Sequence, residues 1–217
     1  MLKKRFTPLF LTLALLSTVI APAAAAEENV LEVNQATPGP IVMGILTDDC
    51  GGEYEIAGVL VENACSTYGM TPQEEISATY RFDVPAFAAE STSLTKDSPD
   101  SGYASHIWLT ITYIERDKGN ITKEYLLTGV SGNWTITDPN VMVKSTNLVC
   151  GCSDVGTTQT TYPGYAVENN FSILTGFNKY VSVIGGVVGA NLTLEYMMGT
   201  RTWSFKMENM LFNNPLS

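Results

Sequence analysis

Four carboxylates, Asp48, Asp49, Glu53 and Glu55, crowd round Cys50 in the stretch DDCGGEYE. Two carboxylates held roughly 5 to 9.5 Å apart can cleave a glycosidic bond, so an extracellular hydrolase built on these acids is one function class to weigh. The same oxygens make Asp48, Asp49 and Glu53 a Ca2+ candidate, since hard cations draw several oxygen ligands from loops. The spacing does not follow the D-x-[DN]-x-[DN]-G order of an EF-hand, and a solvated acidic loop accounts for it equally well. The one histidine, His106, is the only imidazole that could serve a Ser-His-Asp set. No G-x-S-x-G elbow accompanies it, and the reading adopted is a strand-edge histidine facing solvent. No catalytic residue, metal or cofactor is therefore assigned.

Cys50, Cys65, Cys150 and Cys152 lack the paired C-x2-C units of a zinc ribbon. In an exported chain such cysteines are expected to form disulfides. A Cys50–Cys65 bridge would close a loop worth ~3 kcal/mol in the chain-entropy account, but it would leave Cys150 to bridge Cys152 across a single Gly. Pairing of both N-terminal cysteines with the Cys150-Gly151-Cys152 segment is the arrangement leaned towards, and three connectivities stay open.

Trp108 is the sharpest anomaly. In residues 105–134, Ile107, Leu109, Ile111 and Tyr113 alternate with Trp108, Thr110 and Thr112, the period of a strand with one buried face. The alternation sends Trp108 to the wet face, where an indole offers apolar area and one donor to a sugar ring or to a partner's apolar patch. Trp108 and His106 are thus the candidate binding residues. A competing account has residues 27–72 folding over this face, because their apolar runs, 41–46 and 56–61, need burial.

The elements that would position these groups are strands. Arg116-Asp117-Lys118-Gly119-Asn120 supplies turn chemistry between residues 105–115 and a second β-rich run at 121–128, giving a hairpin. Ile76, Ala78, Tyr80, Phe82 and Val84 form the dry face of a strand that ends at Pro85. Residues 86–102 read as a polar loop, and Phe171 to Thr175 as a short strand. Val188, Ala190, Leu192, Leu194 and Tyr196, then Trp203, Phe205 and Met207, line the inner face of a closing hairpin. Seven to nine short strands and no amphipathic helix point to an all-β fold, an antiparallel immunoglobulin-like β-sandwich, with a β-barrel as the alternative. The expected organisation is a signal peptide at 1–26, an N-terminal extension at 27–72 and a β-sandwich domain at 73–217.

The export signal rests on the basic start Lys3-Lys4-Arg5, an apolar run to Ile20 and Ala24 and Ala26 at the cleavage positions. The run is shorter than a spanning helix needs, so no transmembrane segment is expected in the mature chain, and its localisation is extracellular. Cleavage after Ala26 takes the formal charge from −10 to −13. Such a surface is repelled by phosphate backbones, which argues against nucleic acid as a partner.

The runs Leu127-Thr128-Gly129-Val130-Ser131-Gly132-Asn133-Trp134 and Phe171-Ser172-Ile173-Leu174-Thr175-Gly176-Phe177 resemble small, functionally unassigned secreted β-sandwich proteins of Clostridium-like Gram-positive bacteria. The resemblance spans roughly residues 75–213 and implies the fold and export; no activity comes with it. The expectation is a secreted β-sandwich with a binding or structural role at the cell surface or in the medium, without catalysis, whose partner is a glycan or a protein. The alternatives are the hydrolase above and a membrane-active or toxin-like protein in which the Gly-rich residues 181–190 insert.

Overall fold

In the computed structural model the described residues are 41–68, 73–86, 102–119 and 123–213. The expected signal peptide, residues 27–40 and most of the loop at 86–102 lie outside them. Every element among the described residues is a strand. In chain order these are β1 (Ile41–Thr47), β2 (Glu53–Ala57), β3 (Val59–Tyr68), β4 (Gln73–Pro85), β5 (Tyr103–Asp117), β6 (Lys123–Ile136), β7 (Met142–Ser153), β8 (Phe171–Leu174), β9 (Val181–Ser182), β10 (Val187–Met198) and β11 (Arg201–Asn213).

All pairings between strands are antiparallel and they make two sheets. Sheet A runs β2-β1-β11-β10-β7; sheet B runs β3-β4-β5-β6-β8, with β9 also on β6. The sandwich expected from the strand pattern is therefore the fold. The barrel alternative is set aside, because each sheet ends in its own edge strands and, among the described residues, no ladder joins one sheet to the other. Both expected hairpins are present, as β5–β6 and β10–β11.

The inner faces explain the alternation. Phe82, Ile107, Leu109 and Ile111 from sheet B meet Leu46, Leu192, Leu194, Phe205 and Met207 from sheet A, all at 0–1% exposure. Burying side chains of this kind contributes about 1.5–3 kcal/mol each relative to leaving them in water. Phe82 and Phe205 pack edge to face across the interface at 5.8 Å. Polar ties between the sheets include Tyr196 Oη and Ser105 Oγ at 2.6 Å, and Asn209 Nδ2 donating to the carbonyls of Ala78 and Leu109 at 3.2 and 2.9 Å. Trp134 and Trp203 are buried, as their positions on the core face require.

Residues 41–68 do not cover the Trp108 face. They complete both sheets instead: β1 pairs with β11 and β3 with β4. The chain passes from sheet A to sheet B at Gly58, where an added Cβ would run into Val42 and Phe82. The apolar run at 41–46 is accommodated because Leu46 enters the core, whereas Val59, Leu60 and Val61 stay about half exposed on the edge strand β3. In residues 181–190, Val181, Val188 and Ala190 are fully buried, while Ile184 is exposed.

The expected disulfides are corrected: all four cysteines are free thiols. Cys150 and Cys152 are alternate residues of β7, so both point into the core, while Cys50 sits in an exposed turn and Cys65 on the exposed edge strand. Burial pushes the Cys150 thiol up to about 11, and it also raises Cys152, whose Sγ faces the carbonyls of Tyr125 and Lys179.

Candidate functional site

The acidic turn comes first in the chain. It joins β1 to β2, and its carboxylates are already engaged. Asp48 Oδ1 accepts the backbone N–H groups of Gly52 at 2.7 Å and Cys50 at 2.9 Å, and Oδ2 accepts the Tyr54 hydroxyl at 3.1 Å. The Gly52 N–H in particular holds the Asp48 carboxyl below the usual carboxylate range. Asp49 receives Arg201 through two nitrogens, Nε at 2.7 Å and Nη2 at 3.2 Å, which lowers its pKa as well. Asp48, Asp49 and Cys50 offer ligand atoms within 4.8 Å of one another, but Glu53, the third Ca2+ candidate, is not part of that group. The turn's oxygens stabilise the hairpin and tie it to β11.

The outer face of sheet B is organised differently. Direct cross-strand neighbours share a face, and the register gives the rows outright. Asp83, His106 and Thr135 form one row; Arg81, Trp108 and Asn133 form the next; Thr79, Thr110, Ser131 and Ser172 form a third. At the first two rows His106 Nδ1 lies 2.7 Å from Asp83 Oδ1, and Arg81 grips the same carboxylate, Nη2 on Oδ2 at 3.1 Å with Nε 3.1 Å from Oδ1. Asp83 thus holds the imidazole from one side, in the manner of a positioned acid–base pair. Tyr103, His106 and Trp108 follow one another along β5, with ring centroids 5.5 and 6.3 Å apart.

Trp108 is partly exposed and lines two adjoining hollows. One, of about 710 Å³, carries Arg81, Asp83, Tyr103, His106 and Asp138. Its described lining contains no serine or cysteine, and Thr137 Oγ1 already donates to the Tyr103 carbonyl at 2.6 Å. Across the register from His106, on the same face, stands the hydroxyl-bearing Thr135 of β6. The other hollow, of about 850 Å³, is a trough lined by two of these rows, with Trp108 and Asn133 from one and Thr110, Ser131 and Ser172 from the next.

Structure and sequence agree on the Trp108 and His106 face, and the structure brings those two residues together. It does not join them to Asp48 and Asp49, which belong to the turn, or to Glu53, which opens β2. Sequence reasoning set Thr110 beside Trp108 on the wet face but did not single out Asp83, Arg81, Tyr103 or the rest of the hydroxyl row as site residues. Alternation alone places Arg81 and Asp83 on the wet face of β4, but which residue of β5 stands opposite depends on register, which a bulge shifts at Val84/Pro85, as another at Thr112/Tyr113 shifts β5 against β6.

The chain was compared with protein-family models, with curated proteins and with solved structures, and none matches.

Proposed function

We propose that this is an exported, non-enzymatic binding protein that acts at the cell surface or in the medium and engages its partner through the outer face of sheet B. The observation that carries the reading is the setting of Trp108, a large indole left partly exposed between two hollows that both use it as a wall. A core residue would be buried, as Trp134 and Trp203 are at 8 and 5% exposure. Indole side chains in such settings provide a large share of binding energy. Export follows from residues 1–26, read as a signal peptide.

The absence of catalysis rests on the chemistry around the candidates. Asp48 and Asp49 of the β1–β2 turn are spent on local hydrogen bonds, and the hollow that holds the imidazole–carboxylate pair has no serine or cysteine among its described lining residues. The test is a binding screen of the intact mature protein on glycan and extracellular-protein arrays, run alongside Trp108→Ala. The expected result is a ligand that the wild type holds and the variant loses, with unchanged circular dichroism. Equal binding by the two proteins, or none by the wild type, overturns the proposal.

A further inference from the structure

Resting on the reading of the Trp108 face as the binding surface, we infer that its ligand is an uncharged oligosaccharide lying across the strands in the trough between the Trp108–Asn133 row and the Thr110–Ser131–Ser172 row. The trough's composition carries this. Its described lining contains hydroxyls (Thr79, Thr110, Ser131, Ser172), amides (Asn133, Asn169) and the indole, with the apolar Val61 and Phe171 towards its ends, one acid, Glu62, and neither Lys nor Arg.

Hydroxyls and amides both donate and accept, which is the hydrogen-bonding character of a sugar's own hydroxyls. Thr79 and Thr110 lie 2.9 Å apart, and either can be the donor. One hydrogen bond between two hydroxyls leaves a proton and lone pairs for a ligand. The four-residue row crosses β4, β5, β6 and β8, three strand spacings or about 14 Å, so it is matched to a chain of rings rather than a single one. Trp108 beside the row supplies the apolar surface that the C–H face of a pyranose needs.

Charge excludes the nearest competitors. A uronate, sulfate or phosphate ligand needs cations, and the neighbouring hollow's Arg81 is already on Asp83, while the chain as a whole carries −10. An extended peptide would gain most of its affinity from unpaired backbone groups at a sheet edge. The trough lies on a sheet face, where those groups are consumed by the ladders of β4, β5 and β6.

The experiment is isothermal titration of the intact mature protein with two probe sets: cello- and chito-oligosaccharides from disaccharide to hexasaccharide, and oligogalacturonates with sulfated oligosaccharides. The proteins are wild type, Trp108→Ala, Thr110→Val and Ser131→Ala, each checked for folding by its melting curve. The expected result is wild-type binding of an uncharged probe that tightens with chain length. It should weaken at least about tenfold in Trp108→Ala and about 3- to 10-fold in Thr110→Val and Ser131→Ala. Thr110→Val keeps the shape and removes one hydroxyl, so a folded Thr110→Val with full affinity overturns the assignment of the trough. Trp108-dependent binding of the charged set, or of a protein on the arrays above, overturns the ligand class and leaves the Trp108 surface standing. If nothing binds in a Trp108-dependent way, both the ligand class and the binding surface fall.

Discussion

The β1–β2 turn and the outer face of sheet B hold comparable numbers of functional groups, yet they use them in opposite ways. In the turn each acid is answered from inside the molecule: Asp48 by two backbone N–H groups and a hydroxyl, Asp49 by a two-pronged arginine. On sheet B the hydroxyls are paired with each other at most once, as in Thr79–Thr110 and Ser77–Thr112, and the indole beside them is left partly bare. The density of chemically able residues is therefore a poor guide to a site. Hydrogen-bonding capacity left over after folding is a better one.

The contrast is sharpened first by stability. Leu109 is the inward neighbour of Trp108 and fully buried, so Leu109→Ala should cost about 2–5 kcal/mol in chemical denaturation. Trp108→Ala on the same strand should cost about 1 kcal/mol or less, being near the surface range. A Trp108→Ala loss as large as that of Leu109→Ala would show the indole to be part of the core and end the comparison.

Glu124 extends the rule to a carboxylate inside the sandwich margin. It is 5% exposed, and Lys118 and Arg116 hold its pKa below the ordinary value. Arg116 in turn lies over the Tyr180 ring, 3.7 Å from its centroid. Because the folded-state pKa is depressed, this contribution is fully present above the unfolded value of about 4.3 and is lost as the pH falls below it through the folded one. Glu124→Gln should cost about 1–2 kcal/mol at neutral pH, a figure kept small by the exposure of both cations. The gap from wild type should close in acid, as urea titrations at descending pH would record.

At the turn, Asp48→Ala should lower the melting temperature without changing ligand affinity, and millimolar Ca2+ against EDTA should leave the wild-type melting curve where it was. A rise of several degrees with Ca2+ would return the turn to the list of sites. The smallest effect concerns the thiols: two, Cys50 and Cys65, should react with a disulfide reagent in the reduced native protein, and all four after unfolding. Slow reaction of Cys150 and Cys152 follows from their burial.

Much of the fold was legible because it rests on local periodicity. The dry faces of β4, β5, β10 and β11 are the alternating residues named from the sequence, since a period of two has only one way to hide its apolar half. That residues 41–68 supply strands to both sheets was not legible, because short, Gly-rich runs carry no sign of the sheet they join; β2 and β3 differ in partner only through the crossing at Gly58. The cysteines misled for a related reason, as spacing along the chain says nothing about which thiols face the core. Of the site, Trp108, His106 and Thr110 were visible as outward residues of one strand. Asp83 and the rest of the hydroxyl row were not, because they are assembled by cross-strand register, which bulges reset.

The central claim is that ligand is received on sheet B and not at the acidic turn, and amide and indole chemical-shift mapping of the intact mature protein during titration with a cello- or chito-hexasaccharide tests it most directly. The account predicts shifts concentrated at the Trp108 indole, Thr110, Ser131 and Asn133, with residues 48–53 unmoved. Shifts centred on Asp48 and Asp49, with Trp108 silent, would contradict it.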